Sequence, residues 1–176
     1  MTGTVQYDIV LAGLVGAGLT ESLLGQEEQA LSERFSKSFL ERARRSARFV
    51  IQDEQLKQIK NKALQSQPVG EGGIFAALWH LGETLDMGLL SGFDRIPIRQ
   101  EFIEICNALN ADPYTSDDAG SILFATEEAD QIIEYFEKQQ IPVCRIGIMQ
   151  EGKARVIMRG QVRCYLNKPT AKGDRS

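Results

Sequence analysis

FDRIPIRQEFIEICNALNADPYTSDDAGSILFATEEADQIIEYFEKQQIPVCRIGIM, residues 93–149, changes its hydrophobic period several times. SILFAT is a short apolar run after a Gly-containing loop and reads as a buried strand. EEADQIIEYFEKQQ follows with Ala129, Ile132, Ile133 and Phe136 on one helical stripe. Thr126, with Glu127 and Glu128 behind it, is a good helix start. VCRIGIM reads as a strand again. Upstream, FDRIPI is strand-like, RQEFIEICNALN is helical, and ADPYTSDDAG is a loop. Such alternation predicts an α/β fold in which helices cover a mixed sheet, against a helical bundle or an all-β barrel.

The flanks extend the pattern. KARVIMRGQVRCYL predicts two short strands joined across Arg159 and Gly160, followed by a polar tail. The expected domain is residues 1–168, with 169–176 a disordered tail. Toward the N-terminus, a helix is predicted from Gly72 to about Leu85, with Leu78, Leu81 and Leu85 sharing a face. Between Thr20 and Leu64 the chain is rich in helix formers and has no proline, which predicts two or three helices with Thr20 as N-cap. Phe39, Ala43, Ala47 and Val50 would line one face. Arg42, Arg44, Arg45 and Arg48 lie opposite, either a solvated face paired to glutamates or a site for an acidic partner or phosphate. YDIVLAGLVGAG predicts a strand that ends at Gly13 and enters a glycine turn with Gly16 and Gly18.

Composition narrows the function classes. The 176 residues suit one compact domain, and 43% hydrophobic with 25% charged residues is ordinary for a globular protein. A net charge of -4 and a pI near 5.2 argue against nucleic-acid binding, which draws on a basic surface. With one histidine, His80, neither a multi-histidine metal site nor a Ser-His-Asp triad is available; an exposed or half-buried helix position is expected for it. Cys106, Cys144 and Cys164 have no Cys-x-x-Cys spacing and are expected to be buried thiols. Arg145 faces solvent or a ligand, since alternation sets it opposite Cys144 and Ile146. The absence of a signal peptide or an apolar span leads to the expectation of a cytoplasmic protein without a membrane partner.

QPVGEGGIFAALWHL, residues 67–81, sets two glycines before an apolar helix. Glu71, Gly72 and Gly73 are either an anion-binding helix start or a turn that closes helix on sheet. Glu71 would repel a bare anion and equally suits a first helical turn. Asp117 and Asp118 are either a carboxylate pair for magnesium or a hydroxyl, or part of a solvated loop.

EGGIFAALWHL, then IPIRQEFIEICNALNADPY with GSILFA, then IPVCRIGIMQEGKARVI, together with DIVLAGLVGAGLTESLL, resemble the C-terminal domain of the AIR synthase-related family. This superfamily includes aminoimidazole ribonucleotide synthetase (PurM), ThiL and HypE, and the likeness is strongest to HypE-type hydrogenase maturation factors. It runs from about Tyr7 to about Tyr165. It implies a three-layer α/β/α sandwich, partly ferredoxin-like, that in relatives follows a domain holding ATP and magnesium. That first domain is expected to be absent here.

Several motifs depart from the family. Where relatives commonly read Asp-x-Thr-Glu-Gly-Gly, this chain has Pro68, Val69, Gly70, Glu71, Gly72 and Gly73. The opening turn keeps Gly13, Gly16 and Gly18 but lacks the Ser-Ser-Gly-x-His-Ser-Asn-Gly pattern of purine-pathway members. Relatives often carry Ser-Ser-Gly-Ser in the loop where Asp117 and Asp118, followed by Ala119, Gly120 and Ser121, stand. HypE carries a reactive cysteine in a Pro-Arg-Ile-Cys tail, whereas this sequence reads KGDRS at that end. The expectation is therefore a non-catalytic, self-associating or partner-binding module. Its partner would be a second copy, a separate ATP-binding domain or a hydrogenase assembly factor. The alternative is a phosphate- or nucleotide-binding enzyme completed by a second chain, with ligand candidates Gly13, Gly16, Gly18, Glu71, Gly72, Gly73, Asp117, Asp118 and Ser121.

Overall fold

The structure is a computed structural model describing residues 6–48 and 51–170. In chain order the elements are β1 (Tyr7–Ala12), α1 (Ala17–Gln26), α2 (Glu28–Arg34), α3 (Lys37–Ala47), α4 (Asp53–Ile59), β2 (Gln65–Pro68), α5 (Gly73–Leu85) and β3 (Gly88–Gly92). Then follow α6 (Gln100–Ala108), β4 (Ile122–Thr126), α7 (Ala129–Lys138), β5 (Val143–Gln150), β6 (Arg155–Arg159) and β7 (Val162–Tyr165).

The seven strands form one sheet in the order β2-β4-β1-β5-β3-β6-β7, antiparallel except for the parallel pair β3–β6. Two strand–helix–strand units interlock in it. β1 and β3 run the same way with β5 between them, and β4 and β5 run the same way with β1 between them. Each unit being split by a strand of the other is what is ferredoxin-like here, while the order β4-β1-β5-β3 sets α5 and α7 on opposite faces of the sheet. β2 extends it at one side, β6 and β7 at the other.

Alternation in β1 divides the core between the two faces. Ile9 and Leu11 meet Ile74, Leu78 and Leu81 of α5 on one side. Val10 and Ala12 meet Ile132 and Phe136 of α7 and Ile59 of α4 on the other. The expected three layers follow from this split. A helical subdomain sits at one end, where Leu24, Leu31, Leu40, Ala43 and Ile105 are buried together.

Several local expectations need correction. Four helices, α1 to α4, occupy the region read as two or three. Thr20 is no cap: it is fully buried inside α1, and Gly16 is the N-cap with φ 83°. FDRIPI is not a strand, because Phe93–Arg95 forms a 3-10 turn and the strand is the preceding GLLSG. The weak β2 escaped the sequence reading; Gln65, Ser66 and Gln67 are polar and only partly covered, and Pro68 is exposed. Cys106 is buried, but Cys144 and Cys164 are half-buried, the latter because β7 lies at a sheet edge. Ala43 and Ala47 are buried as expected and Phe39 partly so, while Val50 lies outside the described residues. The tail expectation falls largely on residues 171–176, also outside them; Pro169 and Thr170 are described and line a cleft.

Candidate functional site

The nine candidate residues lie in two helix-entry turns, with Gly18 in the first turn of α1 and Gly73 opening α5, and in one loop, all brought together by the fold. The turn after β1 (Gly13, Gly16, Gly18), the turn before α5 (Glu71, Gly72, Gly73) and the loop before β4 (Asp117, Asp118, Ser121) are joined by backbone hydrogen bonds. Gly18 N–H donates to Ala119 O at 3.2 Å, Asp118 N–H to Gly70 O at 3.1 Å, and Val69 N–H to Ser121 O at 3.0 Å. The loop also runs hard against both turns. A Cβ on Gly13 would stand 2.7 Å from Gly120 O, and one on Gly73 would stand 2.5 Å from Tyr114 O.

α1 begins at Gly16 in the left-handed region, a conformation glycine adopts without steric cost. Its free donors are taken from outside the helix. Asp118 accepts from Gly16 N–H at 2.7 Å through Oδ2, and from Leu19 N–H at 3.0 Å and Ala119 N–H at 2.9 Å through Oδ1. Asp118 is only 8% exposed, so it is a buried cap and not part of a solvated loop. Burial pushes its carboxyl above the ordinary range, while the backbone N–H groups pull the other way. Gly13 N–H donates to Pro142 O at 2.7 Å. The donors expected for a ligand in this turn are thus engaged by the protein.

The second turn repeats the device at the surface. α5 starts after Gly72, also left-handed at φ 79°, and Gly72 N–H donates to Oδ1 of exposed Asp117 at 2.9 Å. Gly73 N–H donates to Gly70 O at 3.0 Å and Phe75 N–H to Tyr114 O at 3.2 Å. Ser121 Oγ is buried and has no hydrogen-bond partner. Asp118 is buried against backbone donors, exposed Asp117 holds Gly72 N–H, and no group of three or more His, Cys, Asp or Glu that could hold a metal occurs among the described residues. Asp117 and Asp118 act as acceptors at the two helix starts, whereas the magnesium of the family resemblance belongs to the preceding domain.

Beside this junction opens a cleft of about 770 Å³. Glu71, Gly72, Phe75 and His80 form one wall; Ile157, Arg159 and Cys164 form the other. Thr115 and the segment from Tyr165 to Thr170 complete it. The Arg159 guanidinium lies 4.2 Å from the Phe93 ring centroid. α5 is braced at its far end by Arg155, which stacks over Trp79 at 4.3 Å and pairs with Glu83 at 2.9 Å. His80 is exposed, as expected. The second wall was missed in the sequence because its residues come from β6 and β7, whose pairing across the sheet no local motif announces. Arg145 is placed elsewhere, paired with Asp8 at 3.3 Å and Asp130 at 3.0 Å. Of the arginine face on α3, Arg44 reaches Glu28 at 3.7 Å.

No family model and no curated protein matches the sequence. Solved structures do match in fold. E. coli HypE, a hydrogenase maturation protein, superposes with a TM-score of 0.70 at 17% identity, over 97% of this chain and 52% of that one. Thiamine-monophosphate kinase from Stenotrophomonas maltophilia K279a gives 0.66 at 19%, over 86% and 49%. T. maritima PurL complexed with ATP gives 0.60 at 15%, over 93% and 25%. The chain spans about half the length, or less, of these proteins. Its fold is the one shared by these AIR synthase-related structures, as the sequence resemblance implies.

Proposed function

We propose that this chain is a HypE-type partner-binding module and does not perform ATP chemistry alone. The observation that carries the reading is the filling of both glycine turns: Asp118 occupies the donors at α1, and Asp117 occupies Gly72 N–H at α5. A helix start whose N–H groups already hold a carboxylate has little left for phosphate. The loss of the family's Asp and Thr at Pro68 and Gly70 points the same way. The neighbours supply the setting. HypE has been solved in complex with ATP and in a HypE–HypF complex. The partner proposed here is accordingly a separate ATP-binding domain, a hydrogenase assembly factor or a second copy of the chain. Three unpaired cysteines suit a cytoplasmic setting, and no described helix is long and apolar enough to cross a membrane.

The second reading is a phosphate or nucleotide site completed by another chain. It is favoured by the cleft, which gathers Gly72, His80, Arg159 and Lys168. Calorimetry of the chain alone with ATP and magnesium, and with inorganic phosphate, separates the two. No heat in either titration is expected. Stoichiometric binding that is lost in Gly72→Asp would overturn the module reading. Sedimentation equilibrium then tests self-association, and a monodisperse monomer at high concentration removes the second copy from the partner classes.

A further inference from the structure

The two edges of the sheet are unlike each other. β2 ends on Pro68, which lacks a ladder donor and blunts that edge. At the other end, among the described residues, β7 pairs only with β6, in the register Val156↔Tyr165 to Arg159↔Val162. Leu166 N–H donates to Arg155 O at 2.8 Å, which continues that register by one residue. In an antiparallel ladder, hydrogen-bonded and non-hydrogen-bonded pairs alternate. Val162, Cys164 and Leu166 therefore direct their backbone groups toward β6, while those of Arg163 and Tyr165 point to the open edge. Val162 is 61% and Tyr165 65% exposed, two of the three large hydrophobic side chains standing exposed among the described residues.

The charge at this edge opposes that of the molecule. Residues 152–170 contain Lys153, Arg155, Arg159, Arg163 and Lys168 and no acidic residue, in a chain of net charge -4. Lys153 pairs with Asp86 and Arg155 with Glu83. Arg159, Arg163 and Lys168 form no ion pair among the described residues. The cleft beside β7 adds apolar lining from Phe75, Ala76 and Ile157.

We infer that β7 is a docking edge for an extended, acidic segment of a partner protein, which adds to the sheet as an eighth strand. Main-chain bonds to Arg163 and Tyr165 supply affinity, and carboxylates matched to the basic side chains supply selectivity. A second copy of the chain suits the edge poorly, because symmetric pairing of two β7 strands brings two sets of the same three cations together. The inference rests on the partner-binding reading and names the chemistry of the partner.

The probe is a short capped peptide alternating glutamate and valine, with a lysine-for-glutamate counterpart as control. Binding of the acidic peptide alone is expected, weakening with added salt and shifting the amide resonances of Arg163 and Tyr165. Arg163→Glu is expected to weaken it at least tenfold. Arg163→Pro removes an outward donor without touching the β6 ladder and is expected to abolish it. Should that variant unfold, a peptide N-methylated on its edge-facing amides tests the same bonds and is expected not to bind. Equal binding of both peptides, or of neither, overturns the proposal. So does rapid Cys164–Cys164 cross-linking of the free protein under mild oxidation, since a symmetric β7 pair centres on that residue. ATP binding in the calorimetric test would sink the module reading while leaving these edge measurements to stand or fall separately.

Discussion

The turns before α1 and α5 share a construction: a left-handed glycine, a helix start, and an aspartate from the loop before β4 on the backbone N–H. They differ in depth. Asp118 is buried and holds three donors, whereas Asp117 is exposed and holds Gly72 N–H. A buried cap cannot exchange its carboxylate for a ligand without opening the loop, because removing it leaves the buried Gly16 N–H without an acceptor. An exposed one can, since water or a ligand replaces it. The first turn is therefore a structural closure, and the second is the place where binding properties can change.

The largest expected effect follows from the buried cap. Asp118→Ala should cost about 3 kcal/mol, because buried donors lose a charged acceptor, and should appear as a lowered urea midpoint. Asp118→Asn keeps one acceptor oxygen and should lie between the variant and the native chain. An Asp118→Ala cost no larger than that of Asp117→Ala would break the distinction. Gly73→Ala comes next, at about 2 kcal/mol from the strained positive φ; the contact with Tyr114 O adds to it. A Gly73→Ala protein with an unchanged thermal midpoint would show that the loop yields easily.

Asp117→Ala should cost only about 0.5 kcal/mol, as for an exposed cap. It also releases Gly72 N–H, so calorimetry should detect phosphate binding that the native chain lacks. Absence of that gain would show that the α5 turn, too, is purely structural.

The smallest effect is a pH dependence. Burial raises the Asp118 carboxyl above its ordinary value of 3.8, so the folded protein takes up this proton more readily than the unfolded one. The contribution is fully favourable below 3.8 and is lost as pH rises through the folded value. Relative to Asp118→Asn, the native chain should gain stability as pH falls through that window, and parallel stability curves for the two would contradict it. Among the thiols, burial and nearby Asp118 and Asp112 push Cys106 up to about 11. It should resist alkylation until unfolding, while half-buried Cys164 reacts in the native state.

Periodicity made most of the second half legible. Residues 121–149 carry a strand, a helix and a strand whose apolar stripes match the buried residues, because each is long enough to show its period and stands between clear turn signals. FDRIPI misled because alternation alone cannot tell a strand from the extended chain after a 3-10 turn. β2 was invisible since three polar residues and a proline pair only because β4 offers them an edge. At the site, the three segments were each legible as glycine or carboxylate motifs, and the family resemblance placed them in order. Their hydrogen-bond partners were not legible, since Asp118 and Gly16 are 102 residues apart.

The sequence by itself determined the α/β class, the start of α5 at its glycine turn and the strand–helix–strand run of residues 121–149. All of these depend on local composition and period. Only the tertiary structure decided that Asp117 and Asp118 satisfy those turns, that Cys164 lies on an open edge, and that His80 and Arg159 face one cleft. Those outcomes depend on sheet order and register, which bring distant segments together according to which faces must be buried.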